Sequence, residues 1–194
     1  TKYIQSNDVA GEVTNAESLK SFDSDGFTVG NIAEINTSPE DYVSWNWKAG
    51  TTSGITTNGS TTITPSDYSF DATRKISIVK YTGNATSGAK LAHGLGVAPE
   101  TVLVKRLDVA ATWAVYSASR GNTVNMKLNT NAAENTSSGF WNDTTPDSVN
   151  FTLGNNTDIN NSGTAHVAYC FASVKGFSKF NSYIGNNGGA DGIF

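Results

Sequence analysis

Hydrophobic and polar positions alternate along most of this chain, and no segment carries a sustained apolar stripe at the 3.6-residue helical period. In YVSWNWKA (42–49), Val43, Trp45 and Trp47 fall on one face of an extended strand and Ser44 and Asn46 on the other. HVAYCFA (166–172) repeats the arrangement, with Val167, Tyr169 and Phe171 opposite Ala168, Cys170 and Ala172. The bulky faces are expected to turn toward a core, leaving the small faces for a further layer or an adjacent domain. The same alternation predicts strands at 76–82, 101–107, 112–118, 124–129, 149–153 and 177–184. Turn signals separate them at Asp25-Gly26, Thr82-Gly83-Asn84, Gly94-Leu95-Gly96, Ala98-Pro99, Arg120-Gly121-Asn122 and Asn186-Asn187-Gly188-Gly189. The Ala-containing segments 8–20 and 131–138 offer room for a helical turn and no more. Short strands without helices between them predict an all-β fold, an antiparallel β-sandwich.

The chain is also self-similar. FTVGNIAEINTSPEDYVSWNWKA (27–49) aligns without a gap to FTLGNNTDINNSGTAHVAYCFAS (151–173) at an offset of 124 positions. Phe27/Phe151, Gly30/Gly154, Asn31/Asn155, Ile35/Ile159, Asn36/Asn160 and Val43/Val167 are identical. Upstream, residues 1–12 align with 123–134 at an offset of 122, matching Thr1/Thr123, Asn7/Asn129, Ala10/Ala132 and Glu12/Glu134. Downstream, ISIVKYTGN (76–84) resembles FSKFNSYIGN (177–186). These matches predict a tandem repeat of about 100 residues per unit. Residues 1–49 would be the C-terminal half of a preceding repeat, 75–175 a complete β-sandwich repeat, and 176–194 the start of a following one. Residues 50–74, rich in Thr, Ser and Gly, have no counterpart between the later copies and are expected to be a linker or long loop. The chain reads as a window on a longer tandem-repeat protein. The first half-unit is expected to pack against 75–194 or a neighbouring chain, because a solvated half-sandwich would expose a hydrophobic face.

Composition narrows the function. Hydrophobic residues make up 37% and charged residues only 15%, so Asn, Thr, Ser and Gly must solvate the surface, as in secreted, virion or cell-surface β-proteins. The net charge is −4 and no basic cluster occurs, which argues against nucleic acid. No apolar run approaches the ~20 residues of a membrane span, so no membrane insertion is expected. The single cysteine, Cys170, forms no intrachain disulfide and is read as a small packed residue.

Few side chains suggest chemistry. FDSDGF (22–27) begins like a calcium loop but lacks the later bidentate Glu, so a tight turn is expected and no metal site. His93, flanked by Gly94, has no Ser, Asp or second His at a catalytic spacing, and His166 aligns with Tyr42. Glu12 and Glu134 share a repeat position but belong to different copies, which suits a cap or turn role better than a glycosidase pair. Trp45 and Trp47 align with Tyr169 and Phe171 and are expected in the core. Trp113, Tyr116 and Trp141 lie outside the shared core strands and near loops. With Asn142 they form the candidate glycan contacts, aromatic faces stacking on sugar rings while an amide bonds hydroxyls. No catalytic residue and no cofactor is predicted.

YVSWNWKAG, ISIVKYTGN, AHGLGVAPETVLVKR, HVAYCFASVKGFSKFNSYIGN and the terminal ADGIF resemble a recurring domain of tail-fibre and other virion proteins of tailed, often marine, bacteriophages. That resemblance implies a concanavalin-A-like β-sandwich of jelly-roll type and a virion structural role in a tail fibre or capsid fibre. It also implies an extracellular homo-oligomer contacting other virion proteins and the host surface. A carbohydrate-binding module recognising a surface glycan is the alternative.

Overall fold

The structure is a computed structural model and describes residues 1–185; the turn expected at Asn186–Gly189 and the terminal ADGIF lie outside them. In chain order the elements are β1 (Lys2–Tyr3), β2 (Val13–Thr14), β3 (Leu19–Phe22), β4 (Phe27–Val29), α1 (Ala33–Asn36), β5 (Asp67–Asp71), β6 (Ile76–Thr82), β7 (Ala89–Ala92) and β8 (Thr101–Arg106). There follow β9 (Ala114–Ser117), β10 (Val124–Lys127), β11 (Asn135–Thr136), α2 (Ser138–Trp141), β12 (Asn150–Leu153), α3 (Thr157–Asn160) and β13 (Ala165–Phe171). The fold is all-β: the helices are single turns and every pairing between these strands is antiparallel.

Seven strands form one sheet in the order β11-β10-β9-β8-β13-β6-β5. Inside it, β13 is bonded along its whole length by β6, from Ala165↔Thr82 to Phe171↔Ile76, and by β8, from His166↔Arg106 to Phe171↔Thr101. One hydrophobic cluster joins Val79, Tyr81, Val102, Val104, Tyr116, Ala168 and Cys170 of this sheet to Leu91 of β7, Phe151 and Leu153 of β12, and Phe140, Trp141 and Ile159 of the helical turns. The sides of β13 are therefore the reverse of the expected ones, since the small residues face the core. Large groups arriving from β12, α2 and α3 fill the space, and a close-packed interior leaves the inner strand room only for Ala and Cys.

The bulky face of β13 is the outer one, and residues 1–12 cross it. Tyr3 and Ile4 line a cleft with Ile78, Val167 and Tyr169. Tyr169 lies 6.0 Å from the Trp113 ring, while Phe171 stacks on Phe180 at 5.4 Å. Backbone bonds fasten the crossing: Ala111 N–H donates to the Val9 carbonyl and Glu12 N–H to that of Leu107, each at 2.8 Å. Buried Lys105 gives its ammonium to the carbonyls of Val9 and Ala111, both at 2.7 Å, which meets the demand that a buried cation be hydrogen-bonded. Burial lowers its pKa, opposed by the charges of Asp158 and Asp8. A Cβ at Gly11 would come within 2.7 Å of the Leu107 carbonyl oxygen, so the close approach requires glycine.

Three further segments depart from expectation. Residues 50–74 are more than a linker: Ile63 is buried against Leu91, and β5 pairs with β6 from Asp67↔Lys80 to Asp71↔Ile76. Tyr68 and Phe70 provide the alternation for a strand, and β6 would otherwise present an unpaired edge. The helical turns fall at α1, α2 and α3, whereas 8–20 contains β2 and no helix. The region 177–184 forms no strand beyond a single bridge, Val174↔Ser178.

Candidate functional site

The four candidate glycan contacts do not form a surface. Trp113 is buried on the outer face of the sheet, its indole N–H donating to the Gln5 carbonyl at 2.9 Å. Tyr116 and Trp141 are buried in the core and meet edge to face at 5.8 Å. These three rings stand where a sugar cannot stack, because the cores of β-folds recruit the same residues. Asn142 adopts left-handed φ 51° at the C-terminus of α2, donates its N–H to the Ser138 carbonyl, and accepts from the Ser87 hydroxyl at 2.7 Å. It terminates a helical turn, a place suited to Asn.

The remaining polar candidates also carry structural bonds. His93 is buried between the Asp147 carbonyl at Nε2 and the Leu95 N–H at Nδ1, which identifies the neutral Nε2–H tautomer. Burial lowers its pKa against the opposing pull of Asp147. His166 stacks on Tyr81 at 5.1 Å and bonds the Thr164 carbonyl through Nδ1, and burial lowers its pKa too. Burial pushes the Cys170 thiol well above its ordinary range. In FDSDGF the Asp23 carboxylate accepts from Ser21 and Thr28, both at 2.9 Å, within the β3–β4 hairpin. Glu12 pairs with Lys2 and Glu134 with Arg120, so each forms an ion pair rather than a cap. Among the described residues no group of three His, Cys, Asp or Glu is arranged to hold a metal, and no helix is long and apolar enough to cross a membrane.

What does recur is a set of backbone and amide bonds. The pairs Lys2↔Thr14 and Tyr3↔Val13 reappear 122 positions later as Val124↔Thr136 and Asn125↔Asn135. Asn15 N–H donates to the Thr1 carbonyl and Ser137 N–H to that of Thr123, both at 3.0 Å. The turn α1 returns 124 positions later as α3. The Asn36 amide donates to the Gly30 carbonyl at 2.7 Å and the Asn160 amide to that of Gly154 at 2.8 Å. Gly30 N–H reaches the Ser18 carbonyl, and Gly154 N–H that of Phe140. At both glycines a Cβ would overlap backbone, that of Glu17 in one case and Gly139 in the other.

Burial does not recur. Ile159 is fully buried but Ile35 is 36% exposed, and Val167 is 9% exposed against 71% for Val43. Trp45 and Trp47, expected in the core, are 72% and 61% exposed, and no strand forms over 41–47, the counterpart of β13. The Tyr42 hydroxyl ties this segment to α1 by donating to the Ala33 carbonyl at 3.0 Å, and beside α1 an open cleft of about 560 Å³ is lined by Tyr3, Ile4, Leu19, Ile32 and Ile35 together with polar groups that include Asn7, Ser18 and Glu34. The exposed rings and this mixed cleft are the candidate site. The alignment marked Ile35 and Val43, whereas nothing in the sequence singled out Leu19 or Ile32.

A family model described as a domain of unknown function, DUF7483, matches residues 1–194. The chain belongs to that family. No curated protein and no solved structure matches it.

Proposed function

We propose that this chain is a segment of a bacteriophage virion structural protein, a tail fibre or capsid fibre built of tandem jelly-roll β-sandwich units of concanavalin-A-like type. The unit assembles as a homo-oligomer in an extracellular particle, where it contacts other virion proteins and the host surface. The recurrence of one bond set at offsets of 122 and 124 positions carries the repeat, because unrelated segments have no reason to share strand register, a helical turn and an Asn-to-Gly amide bond. The virion setting draws its support from the resemblance of the strand motifs and from a surface solvated by amides and hydroxyls rather than charges. The glycan-binding alternative loses its carriers, since Trp113, Tyr116 and Trp141 are buried.

Denaturing mass spectrometry of purified virions, followed by light scattering of the isolated protein, tests the reading. The expected result is a polypeptide well above 20.4 kDa that scatters as a multimer. A monomer of that mass, or absence from the particles, overturns it.

A further inference from the structure

We infer that Asp41–Lys48, together with the cleft beside Leu19, Ile32 and Ile35, is the seat of a first half-unit carried on the same polypeptide immediately before Thr1, with strands of the β6 and β8 kind enclosing Asp41–Trp47. The inference rests on the repeat in the reading above and names the partner of its exposed half.

The second copy displays the occupied form of this seat. There β13 lies between β6 and β8, and Ala168 stands opposite both Val79 and Val104. The Tyr81 hydroxyl of β6 donates to the Ile159 carbonyl of α3, closing the sheet over the helical turn. In the first copy the local frame is already built, including α1 and its Asn36–Gly30 bond, yet its Ile35 faces an open cleft. Its central strand is unpaired, with Val43, Trp45 and Trp47 in solvent. Even β4, the counterpart of β12, lacks a β7-like partner and pairs with its neighbour β3 instead. A second molecule of this chain is a poor occupant, because its own β6 and β8 already hold β13 on both sides.

The offset fixes the join. Thr1 corresponds to Thr123, so residues 75–122 placed directly before Thr1 of the full chain supply the missing half in register. In that fusion Ser44 is expected opposite the added Val79 and Val104, and the added Tyr81 at the Ile35 carbonyl. Hydrogen exchange read by mass spectrometry should show amides 42–47 slowed at least about a hundredfold relative to the unfused chain, approaching 166–171 in the same molecule. Ser44→Arg, at the counterpart of buried Ala168, should abolish the protection in the fusion and leave exchange in the unfused chain unchanged.

Free exchange at 42–47 while 166–171 remains protected overturns the inference and leaves the virion reading, tested on particles, untouched. Loss of protection in both halves of the fusion also counts against it, because a matching half should add contacts without removing any. Protection of 42–47 in the unfused chain that grows with concentration would overturn it in favour of a second copy.

Discussion

Ile35 and Ile159 occupy the same kind of helical turn, four residues long, followed by the same Asn-to-Gly amide bond, and yet one is solvated and the other sealed. The difference separates two classes of structure. The strand register, the helical turn and the Asn-to-Gly bond, all closed between residues near in sequence, are present in both segments, because the local chain contains everything they need. A hydrophobic core forms only over the segment that β6, β7 and β8 precede, since those strands supply the opposing surface. Equal residues therefore contribute unequally, and stability should be concentrated in 75–175.

The sharpest way to break this contrast is the matched pair Ile159→Ala and Ile35→Ala. The first should cost about 2–5 kcal/mol in urea unfolding and the second no more than about 1 kcal/mol. Equal losses would show that the first copy is as well packed as the second. Gly154→Ala should cost about 1–3 kcal/mol by forcing backbone apart at Gly139. Gly30→Ala should leave the global transition in place and raise exchange only around 15–36. A similar separation is expected for Asn160→Ala, which strips a buried amide bonded to the Gly154 and Thr86 carbonyls and to the Asn84 N–H, at about 1–3 kcal/mol. Asn36→Ala, with its one amide bond, should cost about 0.5–1.5 kcal/mol.

Both histidines lie within 75–175, and acid should weaken that region through them. Burial lowers the pKa of His93 and of His166, so the unfolded chain binds protons more readily than the folded one below the ordinary value of about 6.5. Stability is then complete above that value and falls as pH drops through the lowered folded values, by about 1.4 kcal/mol per unit of lowering. Urea midpoints should be flat near neutrality and decline on acidification, with His93→Gln showing a shallower decline. The smallest effect belongs to Trp45→Ser and Trp47→Ser, within about 0.5 kcal/mol in this chain; a larger loss would mean the exposed face is already covered.

Alternation located β6 to the residue and found β8, β9, β10, β12 and β13 with ends shifted by a few positions, because each sets larger apolar residues at every second position. It missed β7, whose AKLA has little strand character and is held by β12. It missed α1 and α3 because a four-residue turn fixed by an Asn amide leaves no helical period. The face of β13 was misread for a different reason: alternation tells which residues share a side, while the bulk arriving from Phe151, Trp141 and Leu91 decides which side is inside. The exposed rings at 45 and 47 and the buried ones at 113, 116 and 141 were likewise exchanged, since burial depended on strands that one copy has and the other lacks.

Asp23 N–H donates to the Gly26 carbonyl and Asp147 N–H to that of Asn150, both at 2.9 Å, so the change of offset from 122 to 124 falls between Phe140 and Asp147, where Asn142 and Asp143 both take left-handed backbone, at φ 51° and 47°. Two residues are thus accommodated in a surface bend while the bonds before and after it keep their partners. In the tandem-repeat reading proposed above, this bend is a tolerance point, where units built on one frame would acquire individual identities without disturbing it.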